Sequence, residues 1–278
     1  MIDHGGAGQV LHWAPANGFP LETYRPILEG LTAQYHCVTL PPRALWPSAG
    51  DPPADNGDWS ELAVDLVAGI EERGWSDVVA VGHSFGAVAS LVAATMQRSL
   101  FRALVLLDPV ILPSSGMQQY ARAKGADWQP DGHPLARQAI KRRSRFSSRE
   151  EAFEAWRGRR LFADWSDSAL AWYTDGGLRP DGSGGFDLAW SPAWEAYYYR
   201  SYKVDTWQNV ARLDPALPIL LVSGAESDAF GPEARAEFEA AVPWAESIVL
   251  EGSGHLFPQA RPEATLAVLR DWLSRTVR

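Results

Sequence analysis

Asp77-Val78-Val79-Ala80-Val81-Gly82-His83-Ser84-Phe85-Gly86 is the stretch on which the reading of this 278-residue chain turns. Val78 to Val81 are four consecutive small or β-branched apolar residues, the signature of a strand covered on both faces, as in a parallel sheet. Ala87-Val88-Ala89-Ser90-Leu91-Val92-Ala93-Ala94 reads as a helix packed closely on that strand. Between them, Gly82 and Gly86 flank Ser84 at minus two and plus two, where a Cβ would collide as the chain reverses. The turn is sharp enough to push one side chain clear, which is the Gly-x-Ser-x-Gly nucleophile elbow in its strand-turn-helix setting.

On that motif and its setting, nearly the whole chain resembles the α/β-hydrolase superfamily, in particular its serine-nucleophile, esterase- or lipase-like members with a helical cap. The resemblance implies an α/β fold with a doubly wound, mostly parallel sheet. It implies a core formed by residues 1–111 and 212–278 and a helical cap, or lid, inserted at 112–211.

Composition sets the outer bounds. With 46% hydrophobic and 11% aromatic residues the chain can bury a sizeable core. A net charge of −9 argues against a broad phosphate-binding surface, so nucleic acid is not an expected partner. Cys37 is the single cysteine, which excludes an internal disulfide and fits a reducing compartment. No run of eighteen apolar residues spans a membrane, and Met1-Ile2-Asp3-His4-Gly5-Gly6 lacks the regions of a signal peptide. A cytoplasmic protein acting on a small molecule is expected, with a homodimer compatible with the sequence.

Along the chain, strands are expected at Gln9 to Trp13, His36 to Leu40, Ala103 to Leu107, Ile219 to Val222 and Ser247 to Leu250, alternating with helices. The antiparallel hairpin that usually precedes the first of these in the resembled family is missing, and His4-Gly5-Gly6-Ala7-Gly8 reads as a flexible leader. Pro41, Pro42, Pro47, Pro52 and Pro53 mark a surface loop in which Arg43 and Trp46 stand out. Asp58-x-x-Glu61 is a capping-box-like helix start. The stretch 112–211 carries seven of the thirteen tryptophans and six of the eight tyrosines with helical periodicity and no convincing parallel strand. Such an aromatic excess suits both a small core of its own and a face toward an apolar pocket.

The chemistry follows from what a serine hydroxyl lacks. It is a poor nucleophile unless a base takes its proton and a carboxylate holds that base in the right tautomer. The order in the resembled fold is Ser, acid, His. His255, on a Gly-Ser-Gly loop after the last strand, fits the base. Asp228, after the strand Ile219 to Val222, is the expected acid, with Glu226 and Asp108 as rivals. The resemblance implies an oxyanion hole made by the backbone N–H groups of Phe19 and Phe85, with Asn17 and Gly18 shaping the loop before Phe19. His83 reads as scaffolding, since neighbours in a sharp turn diverge. The remaining histidines show no metal-ligand spacing, and no dinucleotide or Walker glycine pattern occurs, so no metal and no cofactor is expected.

These features imply hydrolysis of a carboxylic ester of a small, largely apolar substrate through an acyl-enzyme. Carbon–carbon bond hydrolysis, thioester or amide hydrolysis and perhydrolysis use the same three groups, and a non-catalytic binder shares the fold. Arg137, Lys141, Arg142, Arg143 and Arg145 form the densest basic run. It either steers an acidic substrate or is a solvated face paired with Glu150, Glu151 and Glu154.

Overall fold

The apolar run Val78–Val81 lies at the centre of the structure, a computed structural model that describes residues 1–55, 57–116, 133–201 and 205–277. In chain order the sheet strands are β1 (Ile2–Gly5), β2 (Gln9–Ala14), β3 (Tyr35–Thr39), β4 (Val78–His83) and β5 (Phe101–Leu107). The intervening helices are α1 (Arg25–Leu31), α2 (Ser60–Glu72) and α3 (Phe85–Met96). Three short strands of the inserted segment come next, β6 (Arg145–Phe146), β7 (Leu178–Pro180) and β8 (Phe186–Leu188). The large sheet resumes with β9 (Ile219–Gly224) and β10 (Glu246–Leu250). Its order is β1-β3-β2-β4-β5-β9-β10, with β1 antiparallel and the other pairings parallel. This is an α/β-hydrolase fold.

Side-chain alternation divides each central strand between two cores. Val78, Ala80, Leu104, Leu106, Ile219 and Leu221 face α2 and α3. Val79, Val81, Val105, Leu107, Leu220 and Val222 face α1 and the last helix, Pro262–Thr276, whose Leu269, Trp272 and Leu273 cover them. Truncating a fully buried leucine such as Leu91 is expected to cost about 2–5 kcal/mol, transfer and cavity terms together. Cys37 is buried here, and burial pushes its thiol up to about 12.

Two local expectations are corrected. His4 to Gly6 is no leader: His4 sits in β1, which pairs with β3, and its Nε2 lies 3.0 Å from Thr39 Oγ1. β1 is thus an antiparallel strand at the margin of the sheet. The inserted segment is not wholly helical either, because β6, β8 and β7 form a small antiparallel sheet. The helix start at Asp58 is as expected. Asp58 Oδ1 accepts the Ser60 N–H at 2.8 Å, while Glu61 reaches back to the Asp58 N–H at 3.2 Å.

The aromatic excess between β5 and β9 is split. Phe146, Trp156, Phe162, Trp165 and Tyr173 pack with one another. Trp190, Trp194, Tyr197 and Tyr198 instead join the core that contains Phe85 and Trp59. Among the described residues no helix is long and apolar enough to cross a membrane.

Candidate active site

The elbow is strained where sterics demand it. Ser84 has φ of 60° and ψ of −122°, a region that L-residues rarely adopt. A Cβ on Gly82 would stand 2.4 Å from the Gly86 carbonyl oxygen, and one on Gly86 would stand 2.5 Å from that of Ala14. Moving the first oxygen would open the turn, and moving the second would shift the end of β2. The Ser84 N–H donates to Leu107 O at 3.0 Å, which ties the turn to the end of β5.

Ser84 Oγ lies 2.9 Å from His255 Nε2, and His255 Nδ1 lies 2.6 Å from Asp108 Oδ2. A carboxylate only accepts, so Nδ1 carries the ring proton and Nε2 is left to accept from the serine hydroxyl. Asp108 is fully buried and Ser84 is 6% exposed. His255 arrives on the loop after β10, with a side chain 20% exposed.

The carboxylate that meets His255 is therefore not the expected one. Asp228 is exposed on the loop after β9, and so is Glu226. Asp108 follows β5 directly with φ of 43°, and its N–H donates to Val222 O at 2.7 Å. That kink sends the side chain across the end of β9. There Asp108 Oδ1 accepts the Gly224 N–H at 2.9 Å, and Oδ2 accepts from the Ser227 hydroxyl as well as from His255. The end of β9 and the loop after it supply donors to Asp108 rather than a carboxylate to His255. The one signal in sequence was Asp108-Pro109 closing a buried strand.

Phe85 opens α3, where an N–H has no acceptor within its own helix. The Phe19 N–H differs from expectation, because it closes its own turn onto Ala16 O at 3.2 Å. Gly18, with φ of +79°, makes that turn possible. Asn17 is buried, and its side-chain amide donates to Glu195 O at 3.0 Å. Rings from the inserted segment flank both phenylalanines. Phe19 meets Trp165 and Tyr173 at centroid distances of 6.0 and 5.9 Å, and Phe85 meets Trp190 and Tyr198 at 6.3 and 5.3 Å.

Tyr24 was not anticipated. Its hydroxyl accepts the Ala16 N–H at 3.0 Å and donates to His83 Nδ1 at 2.8 Å, while His83 Nε2 donates to the His255 carbonyl at 3.0 Å. This chain links the loop before Phe19 to the loop that carries His255. Burial, and then the nearby His255, push His83 well below the ordinary histidine value, so it stays neutral and keeps one donor and one acceptor.

The basic run also divides. Arg143 pairs with Glu151, and Arg145, itself exposed, pairs with Asp181 and Asp187. Arg142 turns inward to pair with Glu195 and donates to Tyr173 Oη at 2.7 Å. A cavity of about 500 Å³ shares Phe85 and Gly86 with the elbow but is lined by neither Ser84 nor His255. Among the described residues no three His, Cys, Asp or Glu side chains stand together as a metal site would require.

The model of the Alpha/beta hydrolase family matches residues 2–268. The chain is 25% identical over 274 residues to an N-formylmaleamate deformylase of Pseudomonas putida, an alignment that covers 98% of this chain and 91% of that one. Among solved structures it is similar to E-2-(acetamidomethylene)succinate hydrolase, with TM-score 0.74, 19% identity and 97% and 93% of the two chains covered. It is also similar to the N-formylmaleamic acid deformylase of Pseudomonas putida S16, with TM-score 0.69, 21% identity and 96% and 94% covered.

Proposed function

Because this chain belongs to the alpha/beta hydrolase family, we propose that it is a serine hydrolase that cleaves a carboxylic acid derivative through an acyl-enzyme on Ser84. The observation that carries this reading is the His255 ring held between Ser84 Oγ and Asp108 Oδ2 at 2.9 and 2.6 Å.

His255 Nε2 takes the hydroxyl proton as Ser84 Oγ attacks the substrate carbonyl, and Asp108 stabilises the imidazolium that forms. The negative charge moves to the carbonyl oxygen, where the Phe85 N–H donates to it. The Phe19 N–H joins from its 3.2 Å contact with Ala16, sharing its proton between the two acceptors. Collapse expels the leaving group with the proton from His255. Water, deprotonated by the same ring, then releases the acid and returns Ser84. The segment 112–211 serves as a cap whose Trp165, Tyr173, Trp190 and Tyr198 wall the site, which suits a small, largely apolar acyl group.

Ester hydrolysis asks least of this machinery, since an alkoxide leaves the tetrahedral intermediate more readily than an amide nitrogen that has not yet been protonated. Amide hydrolysis is the second reading, favoured by the relatives, whose names describe substrates with an acylated nitrogen. A fluorophosphonate probe is expected to label the protein at Ser84. p-Nitrophenyl esters of rising chain length, run beside N-formyl and N-acetyl amides, then assign the bond. Absence of labelling in well-folded protein would overturn the acyl-enzyme.

A further inference from the structure

We propose that Arg142 is a positioning residue for the oxyanion turn: it neutralises the Glu195 carboxylate, which lies against Gly18 and would otherwise oppose the charge that develops on the substrate's carbonyl oxygen. This rests on the acyl-enzyme reading above.

The contacts run in one line. A Cβ built on Gly18 would stand 2.9 Å from Glu195 Cδ and 3.1 and 3.2 Å from its two oxygens. The carboxylate thus occupies the space that a side chain at Gly18 would take, one residue from the Phe19 N–H. Glu195 also grips the turn by its main chain, through the Asn17 amide at 3.0 Å. Its side chain is 10% exposed, so water screens it little. Arg142 pairs with that carboxylate and donates to Tyr173 Oη, while the Tyr173 ring stands edge-on to Phe19.

Among the described residues, the titratable groups that face Glu195 are Arg142, Tyr173 and, on its own helix, Tyr199. Burial pushes both phenols up, so neither carries charge near neutral pH. From the other side the turn offers Asn17 and Gly18, which do not titrate. Burial pushes the Glu195 carboxyl up and Arg142 pulls it back, with burial the stronger. Arg142, paired with that carboxylate where it lies against Gly18, is the cation that offsets its charge beside an oxyanion hole.

Three variants separate this role from others: Arg142→Gln, Glu195→Gln and the double substitution. They are assayed on a neutral p-nitrophenyl ester that the wild-type protein turns over. At a pH high enough to ionise Glu195, Arg142→Gln is expected to lower kcat about 10- to 100-fold with KM shifted much less, short of the loss of a whole oxyanion donor. Its activity should decline as pH rises and Glu195 ionises, a limb absent from the wild-type profile. Adding Glu195→Gln should restore kcat to within about threefold and abolish that limb, since no charge is then buried unpaired. Wild-type kcat in Arg142→Gln, an effect on KM alone, or a double variant no better than the single one would each overturn the inference. Should Arg142→Gln not fold, Arg142→Lys and the double variant carry the test. Both must then approach wild-type kcat, and a deep loss in the folded double variant overturns it. Failure of fluorophosphonate labelling in the wild-type protein would instead sink the acyl-enzyme reading itself.

Discussion

The ends of β5 and β9 each present an aspartate at the same edge of the sheet, and the two have opposite fates. Asp108, one residue past β5, is fully buried with φ of 43° and receives Gly224, Ser227 and His255. Asp228, four residues past the end of β9, is exposed. A carboxylate can hold a histidine only where its other lone pairs are satisfied away from water, and only the first position offers that. Proximity to a strand end is not enough; the donors around it decide.

Three substitutions probe the contrast directly. Ser84→Ala sets the scale: turnover is expected to fall on the order of 10⁴-fold or more with the fold retained, as circular dichroism would show, because the proposed acyl-enzyme forms on its hydroxyl. Asp108→Asn should approach that loss, about 10⁴-fold in kcat, since an amide at this site favours the wrong tautomer of His255. Asp228→Asn, on an exposed loop, should leave kcat within about twofold, in keeping with surface substitutions generally. If kinetics rank the two aspartates the other way, Asp108 loses its role.

The next effect concerns stability. His12 in β2 is pushed down to about 4 by burial, and His83 is likewise lowered. An unfolded histidine titrates near 6.5, so the unfolded chain binds protons first as pH falls. Stability is therefore full above about 6.5 and is lost as pH drops toward 4, by about 3 kcal/mol from His12 alone at the bottom of that window. Urea denaturation across pH 4 to 8 measures this, and His12→Gln should flatten part of the slope. An equal slope in that variant would remove His12 from the account.

A last substitution tests whether the end of β4 is tied to the others as tightly as Asp108 is. Tyr24→Phe deletes one hydroxyl that serves both Ala16 and His83, which leaves a buried N–H and a ring nitrogen unmatched. It should cost about 1–3 kcal/mol of stability. A drop in kcat of about tenfold is expected with it, because a small displacement of positioned groups slows chemistry. Unchanged kcat in a destabilised variant would make the link purely structural.

What the sequence determined by itself is what near neighbours impose. Gly82 and Gly86 around Ser84, the apolar runs of β4, β5 and β9, the capping pair Asp58 and Glu61 and the Gly-Ser-Gly loop bearing His255 all follow from local sterics and short-range hydrogen bonding, and all were legible. Gly18 belongs here too, as a turn residue. What only the tertiary structure decided are pairings between side chains far apart in the chain: Asp108 with His255, Tyr24 with His83, Arg142 with Glu195, His4 with Thr39. Each depends on how elements cross and on strand register, where a shift of one residue turns every side chain to the opposite face. Asp108 and Asp228 look alike in sequence because both follow an apolar strand at the same edge of the sheet. They differ because the chain kinks at Asp108 and sends its carboxylate over the end of β9, where Gly224 and Ser227 already wait with donors.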